Sequence, residues 1–333
     1  MTKRALAVLL LLLIPALAAC GSGSGSGSSP DVSVALDWYP NSDHAGLYLA
    51  QSRGYFKDQG LSVKLQVPSN PDDVLKLVGT GKNTFGVSYE PDVLLARAQG
   101  VPVVSIAAIV QQPLDTIMTL KSSGITQPKQ LAGKTIGSSG LPGDQAILST
   151  MMAADGSNVS KIKQQVNVGY DLVQALISKR VDAIIGGYFT HEAILAEQQG
   201  YPVNVMHVQD WGVPTYYELV IVTSEDMVKN HPETVQRFVN AVVQGYDGAR
   251  QDPTAALNAI AASYKEMDRK VENVGIQRLL PLFTAGAPSF GWQTSQRWVS
   301  YANWMTQHKL LKGGNPNDAF TNKFVEAASK SPK

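Results

Sequence analysis

Short apolar runs alternate with helix-length segments along most of the 333-residue chain, and this alternation limits the fold more than any other sequence feature. The first runs of strand type are Val32–Leu36, Leu61–Val67 and Phe85–Ser88, and helix-like segments separate them. Strands joined through helices predict a parallel sheet with helices on its faces. The alternation resumes after residue 114 and gives way near residue 223 to an almost wholly helical pattern. We therefore expect two α/β units, onto whose sheets the last helices pack.

The late helices have no strand partners of their own, so we expect the chain to cross between the two units twice. The crossings are predicted near residues 112–118 and 212–222. This gives a discontinuous first lobe, residues 31–114 with 218–333, and a second lobe, residues 115–217. The predicted fold class is α/β, with two lobes joined by two crossover segments.

The first thirty residues stand outside the predicted fold. Lys3 and Arg4 precede an apolar segment shorter than the about 20 residues that span a bilayer, so residues 1–20 predict an export signal. The sequence Leu-Ala-Ala-Cys that ends at Cys20 resembles the lipobox of bacterial lipoproteins, which implies that Cys20 carries a lipid. Residues 21–30 are rich in Gly and Ser and predict a flexible tether. With one cysteine in the chain, we expect no internal disulfide and no cysteine-based metal site.

A polar and aromatic corner follows the first predicted strand. Residues 37–48, with the sequence DWYPNSDHAGLY, join that strand to the next helix. Trp38 offers a large aromatic face, and Asn41 can both donate and accept hydrogen bonds, although core packing and a simple turn are the alternatives. His44 lies near the helix N-terminus and could bond a ligand, but a lone histidine is more often structural. Asp37 is expected to orient this corner, which could hold a flat polar ligand.

Several motifs between residue 32 and about residue 310 resemble one family of proteins. The segment SGITQPKQLAGKTIG at residues 123–137 is similar to a stretch of type II periplasmic-type solute-binding proteins of ABC importers. The corner motif DWYPN, with the His, Gly and Tyr that follow it, resembles the branch that handles pyrimidine precursors of thiamine, the NMT1/THI5-like family. Further matches are SYEP at residues 88–91, QPL at 112–114, VGY at 168–170, DAIIGGY at 182–188 and GVP at 212–214. The resemblance implies the type II periplasmic-binding-protein fold, with a ligand held between two lobes.

Two tyrosines and a glutamate extend the candidate site. Tyr89 and Tyr188 each follow a short strand, where open α/β sheets present ligand contacts, and they could form the second face of an aromatic sandwich with Trp38. Glu192, four residues after Tyr188, could accept a hydrogen bond from an exocyclic amine, and a solvated helix residue is its alternative. The spacing of Tyr188 and Glu192 resembles the site of the family.

A glycine-containing loop supplies the last candidate ligand-binding residues. Ser138, Ser139 and Gly140 precede a helix that begins near Asp144, so the loop N–H groups could bind an acceptor atom, while a simple tight turn is as plausible. The loop lacks the spacing of a P-loop or a serine nucleophile. Synthases of the same family carry a cysteine-rich motif in this loop and use the histidine that matches His44 for chemistry on pyridoxal phosphate. Since the loop here has no cysteine, we expect a binding protein and not an enzyme.

The net charge of +1, without a stretch that concentrates Lys or Arg beside aromatic residues, argues against nucleic-acid binding. The scattered histidines predict no metal site, and no cofactor is expected. The resemblance implies a flat heteroaromatic ligand, with an aminopyrimidine thiamine precursor, similar to formylaminopyrimidine, preferred. Riboflavin or a sulfonate is the alternative ligand, and a pyrimidine-precursor synthase is the alternative from another class. The expected partners are ABC permease and ATPase subunits, with a monomeric, extracytoplasmic protein held at the membrane by its lipid.

Overall fold

The computed structural model describes residues 30–141 and 143–330 of the chain. The predicted export signal, Cys20 and residues 21–29 of the tether lie outside these ranges. The strands of the described residues are β1 Asp31–Ala35, β2 Ser62–Gln66, β3 Phe85–Ser88, β4 Val103–Val110, β5 Asp115–Leu120, β6 Thr135–Ser138, β7 Gln164–Asn167, β8 Ala183–Tyr188, β9 Val203–His207 and β10 Leu219–Ser224. The α-helices are α1 Ala45–Ser52, α2 Tyr55–Asp58, α3 Val74–Gly79, α4 Glu90–Ala98, α5 Asp144–Ala154, α6 Leu172–Ile177, α7 Glu192–Gln198, α8 Glu225–Asn230, α9 Pro232–Gln251, α10 Pro253–Ser263, α11 Arg269–Leu279, α12 Ser295–Gln307 and α13 Lys323–Lys330.

The strands form two mixed sheets of five strands each. Their orders are β2-β1-β3-β10-β4 and β7-β6-β8-β5-β9. In the first sheet β10 runs antiparallel to both neighbours, and in the second sheet β5 does the same. The expectation of purely parallel sheets was therefore wrong for these two strands. Residues 111–114 lead into β5 and residues 208–218 lead into β10. Neither connection contains the α-helix that usually carries the chain back across a sheet to begin a parallel strand.

The two connections separate the chain segments that form the two sheets. The first sheet takes residues 31–110 and 219–224, and the second sheet takes residues 115–207. The lobes predicted from the sequence therefore contain one sheet each. We call the first sheet with the helices packed on it lobe 1, and the second sheet with its helices lobe 2.

The helices near the first sheet fix the corner that follows β1. A Cβ atom built on Gly245 of α9 would lie 2.1 Å from the carbonyl oxygen of Gly46 in α1, so the two helix backbones are in direct contact. The buried Tyr246 hydroxyl donates a hydrogen bond to the carbonyl oxygen of Asp43, at 2.8 Å. The long helix thereby holds residues 41–46 against the core.

Three helical segments differ from the sequence prediction. The one helix predicted after the corner is two helices, α1 and α2, because Gly54 between them has a left-handed φ of +79°. The helices α11 and α13 were not predicted; Asp268 caps the first of these through the N–H groups of Lys270 and Val271. Within residues 30–141 and 143–330, no helix is long and apolar enough to cross a membrane.

Candidate ligand-binding site

A cavity of about 460 Å³, its open mouth included, lies where strand ends from both sheets come together. Both lobes contribute to its wall, so it lies between them. The described residues that line it are Asp37, Trp38, Asn41, Tyr89, Asp115, Ser139, Leu141, Gly186, Tyr188, His191, Glu192 and Glu218.

Strand direction explains why these residues meet. The loops that follow β1, β3 and β6, together with the last residues of β8, reach the cavity in the way expected of parallel strands. Asp115 is the first residue of β5 and pairs with Tyr188, the last residue of β8. Glu218 directly precedes β10. Because β5 and β10 run antiparallel, their first residues lie at the edge where the parallel strands end.

Asp37 is held from two sides at the back of the cavity. The N–H of Asn41 donates to Nδ1 of His44 at 3.4 Å, so the proton of this imidazole is on Nε2, which donates to Oδ1 of Asp37 at 2.9 Å. The hydroxyl of Tyr89 donates to the other carboxylate oxygen, also at 2.9 Å. His44 is fully buried and does not belong to the cavity lining. The structure places His44 behind Asp37, where it fixes the carboxylate.

Trp38 forms an aromatic contact between the lobes. Its ring meets that of Tyr170, which lies between β7 and α6, with a centroid distance of 4.1 Å and an angle of 61°. Tyr89 and Tyr188, the tyrosines predicted to stand opposite Trp38, line the cavity and also bond carboxylates through their hydroxyl groups. Tyr170 belongs to the VGY motif and no role was predicted for it, and the signal that could have found it is its position three residues after the end of β7.

Glu192 and Glu218 accept hydrogen bonds from the second lobe and the crossover. The N–H of Tyr188 donates to Oε2 of Glu192 at 2.8 Å, whereas Oε1 lies 3.9 Å from Nε2 of His191. Glu218 accepts from the N–H groups of Leu114 and Asp115 and, at 3.0 Å, from the Tyr188 hydroxyl. Glu192 therefore keeps one oxygen for a further donor, while Glu218 is held by these three groups and by the side chain of Tyr216.

The loop after β6 uses its N–H groups internally. The Asp144 carboxylate accepts hydrogen bonds from the Ser138 hydroxyl and from the N–H groups of Gly140 and Leu141. Gly140 has a φ of +93°, and a Cβ atom there would lie 2.3 Å from the Asn167 amide nitrogen. The carboxylate of Asp144 therefore lies at the predicted acceptor site, with its Oδ2 buried and without a hydrogen-bond partner among the described residues. Among the three predicted loop residues, Ser139 lines the cavity.

The cavity brings together Trp38, Asn41, Tyr89, Ser139, Tyr188 and Glu192 from the predicted set, while His44, Ser138 and Gly140 lie outside its lining. Asp115 and Glu218 were not predicted from the sequence, because their position depends on strand direction. His191 was not predicted either, and its Nδ1 lies 2.8 Å from Oε1 of Glu272 on α11. The signal for α11 was a capping Asp268 followed by apolar residues on one helical face.

Burial shifts the ionisation of these groups. It raises the pKa of Glu218 from 4.5 to about 7, although its hydrogen-bond donors lower it. Burial and the charge of Glu218 raise the pKa of Asp115 well above 3.8. Burial lowers the pKa of His191, but Glu192 and Glu272 raise it, so that the result is about 9. Burial thus favours the protonated forms of Asp115 and Glu218, and the neighbouring carboxylates favour the charged form of His191. Within the described ranges, no cluster of side chains could hold a metal ion.

Comparisons with known proteins agree with this architecture. The sequence profile described as NMT1/THI5 like matches residues 41–256. The chain belongs to the NMT1/THI5-like family. A formylaminopyrimidine-binding protein of Halalkalibacterium halodurans is 34% identical over 84% of this chain and 86% of its own length. A 4-amino-5-hydroxymethyl-2-methylpyrimidine phosphate synthase of Saccharomyces cerevisiae is 30% identical over 76% of this chain and 77% of its own.

A solved structure confirms the predicted fold. The alkanesulfonate-binding protein SsuA of Xanthomonas axonopodis pv. citri, bound to MOPS, superimposes with a TM-score of 0.68 at 15% identity. The superposition covers 87% of this chain and 98% of the other. The fold is that of the periplasmic binding proteins, with two mixed α/β sheets. The NMT1/THI5-like family thus includes both a binding protein and synthases among the relatives of this chain.

Proposed function

We propose that this protein is the solute-binding component of an ABC importer and that it binds an aminopyrimidine precursor of thiamine, similar to formylaminopyrimidine. The observation that carries the proposal is the wall of the cavity. Four carboxyl groups, those of Asp37, Asp115, Glu192 and Glu218, line it beside the indole of Trp38. An aminopyrimidine is flat, so that it can stack on an indole. Its amine donates hydrogen bonds to ionised carboxyl groups, and its ring nitrogens accept hydrogen bonds from protonated ones.

We assign ligand contacts to four of the predicted residues that line the cavity. Trp38 supplies the stacking face, and Oε1 of Glu192 accepts from the exocyclic amine. Asn41 lies within the wall with its Oδ1 bonded to the N–H of Asp43 at 2.9 Å, so its amide nitrogen is the group left to donate to a ring nitrogen. Ser139 has a buried hydroxyl without a hydrogen-bond partner among the described residues, and it can bond a polar substituent. Asp37 and His44 keep the corner in place.

The charge of the cavity disfavours anionic ligands. Among the described residues of its lining there is no Lys or Arg, and His191 is the single basic group beside four carboxyls. The helix N-terminus that could bind a sulfonate or phosphate is occupied by Asp144. A sulfonate would find His191 as its single cationic partner, and this imidazole already pairs with Glu272. The similarity in fold to an alkanesulfonate-binding protein therefore does not extend to the charge of the lining.

The same lining does not fit the cofactor of a synthase. A Schiff base with pyridoxal phosphate needs a lysine amine, and its phosphate group needs cations or free N–H groups. The described lining offers neither a lysine nor a free helix N-terminus, and His44 lies behind Asp37. The relationship to the synthases is therefore one of family, and we propose binding without covalent chemistry.

The N-terminal sequence gives the proposed setting. An export signal ending at Cys20, followed by a Gly/Ser tether, suits a lipid-anchored protein on the outer side of the cytoplasmic membrane. The lobes would close on the ligand, and the permease with its ATPase would recognise the closed form. A monomer suffices for this role.

Isothermal titration of the full chain in mild detergent tests the proposal. The ligands are formylaminopyrimidine, riboflavin, taurine and pyridoxal phosphate. We expect formylaminopyrimidine to give a heat of binding and taurine to give none. Tighter binding of riboflavin would assign the cavity to a flavin, and binding of taurine alone would refute the role of the aromatic and carboxylate wall. A Schiff-base absorbance with pyridoxal phosphate would favour the synthase.

A further inference from the structure

A second cavity adjoins the first on the side of α11. Its volume is about 840 Å³, open mouth included, and it shares Trp38, Asn41, His191 and Glu192 with the inner cavity. A ligand that fills the inner cavity can therefore extend into this outer cavity without passing through the core. The aminopyrimidine proposed above occupies the inner cavity alone, which leaves the outer cavity without an assigned occupant.

Aromatic rings form one wall of the outer cavity. Tyr39 stacks on Tyr264 with a centroid distance of 6.2 Å and an angle of 10°, and it is tilted against Tyr170 at 4.7 Å. Tyr39 is 42% exposed, although it is a large aromatic residue next to the candidate site. Faces of tyrosine rings attract cations, because the quadrupole of the ring is negative at its face. The wall is suited to a cationic or aromatic group.

Carboxylates surround these rings. Asp171, Glu266, Asp268 and Glu272 line the outer cavity in addition to the shared Glu192, and His191 is the one basic group in its described lining. His191 already pairs with Glu272, and Asp268 caps α11. The carboxylates make the electrostatic potential of the outer cavity negative, so that a positively charged ligand would be attracted and an anion would be repelled.

Two cations nearby in the sequence, Lys265 and Arg269, have other partners. Lys265 donates to the carbonyl oxygen of Ala261 at 3.2 Å, and Arg269 donates to Oδ1 of Asn258. Neither residue belongs to the lining of the outer cavity. These two side chains therefore do not neutralise the carboxylates of the outer cavity.

We propose that the outer cavity binds a positively charged heteroaromatic ring attached to the pyrimidine, so that the protein also accepts aminopyrimidines with a cationic substituent. This inference rests on the proposed function, because the pyrimidine is placed in the inner cavity. The ring would lie against Tyr39 and Tyr264, with its charge facing Glu266 and Asp171.

Thiamine, an aminopyrimidine linked to a cationic thiazolium ring, is the probe for this test, and formylaminopyrimidine is its neutral counterpart. Both are titrated into the full chain and into the Tyr264→Leu and Glu266→Gln variants. Each variant should bind thiamine roughly threefold to tenfold more weakly than the unaltered protein, and its affinity for formylaminopyrimidine should stay within about twofold. The matched control is Tyr201→Leu, because Tyr201 is 43% exposed and belongs to neither cavity lining.

The outcomes separate this inference from the proposed function. A loss of affinity for thiamine without a loss of affinity for formylaminopyrimidine supports a cation site in the outer cavity. If formylaminopyrimidine binds and thiamine does not, or if both ligands lose affinity equally in the variants, the outer cavity binds no cation and the proposed function stands. If neither ligand binds the unaltered protein, both the proposed function and this inference are wrong.

Discussion

The Nε2 atom of His44 donates a hydrogen bond to Oδ1 of Asp37 over 2.9 Å, and both side chains are buried. The other oxygen of Asp37 accepts from the Tyr89 hydroxyl. The carboxylate is therefore fixed between the first helix and the loop after β3. Because Trp38 follows Asp37 directly, these two bonds also set the direction of the indole.

Removal of one donor should destabilise the corner. The Tyr89→Phe substitution keeps the ring and leaves Oδ2 of Asp37 without its bond, so the free energy of unfolding should fall by about 1–3 kcal/mol. Urea denaturation measures the change. The exposed Tyr201→Phe variant serves as the control and should unfold at the same urea concentration as the unaltered protein. Equal midpoints for both variants would show that Tyr89 does not support Asp37.

Stability should fall as the pH rises from about 5 to 9. Burial raises the pKa of Asp144 from 3.8 to about 8 and that of Glu90 from 4.5 to about 8. The folded state therefore binds these protons more tightly than the unfolded state, so their contribution is complete below about pH 4 and is lost as the pH passes 8. His191, with its pKa raised to about 9, acts in the same direction.

Thermal denaturation across this pH range measures the effect. The Asp144→Asn variant cannot ionise at this position, so its melting temperature should depend less steeply on pH than that of the unaltered protein. A melting temperature that rises steadily from pH 5 to 8 would contradict the assigned direction.

The contact between α1 and α9 should tolerate no added methyl group. In the Gly245→Ala variant the new Cβ atom would lie 2.1 Å from the carbonyl oxygen of Gly46, so the helices must separate, at about 3 kcal/mol. Gly143 has an ordinary φ of −74° and no atom within 4 Å of such a Cβ atom. Gly143→Ala is thus the matched control, with a change below about 1 kcal/mol. Similar unfolding midpoints for the two variants would refute the close approach.

The sequence predicted those residues of the candidate site whose position depends only on the nearest strand. Trp38, Asn41 and Tyr89 follow strands and Tyr188 ends one, and parallel strands present their last residues at the same edge of the sheet. Glu192 begins α7 only four residues after Tyr188, so its position followed from the same argument. The division into two α/β units needed only the alternation of strands and helices.

The rest of the site depends on contacts between distant segments. Asp115 and Glu218 reach the cavity because β5 and β10 run antiparallel, and this direction is set by where the chain crosses between sheets. Glu272 meets His191 across about eighty residues of sequence, and no local pattern encodes such a pair. The role of His44 was likewise decided by its partner, since the same imidazole could have faced either a ligand or Asp37.

The central claim is that an aminopyrimidine stacks on Trp38 in the carboxylate-lined cavity. Calorimetric titration of formylaminopyrimidine into the Trp38→Ala variant tests it most directly, with the exposed Tyr201→Ala variant as the control. The account predicts an affinity at least about tenfold weaker than that of the unaltered protein, and an unchanged affinity for the control. A Trp38→Ala variant that binds formylaminopyrimidine with full affinity would contradict it.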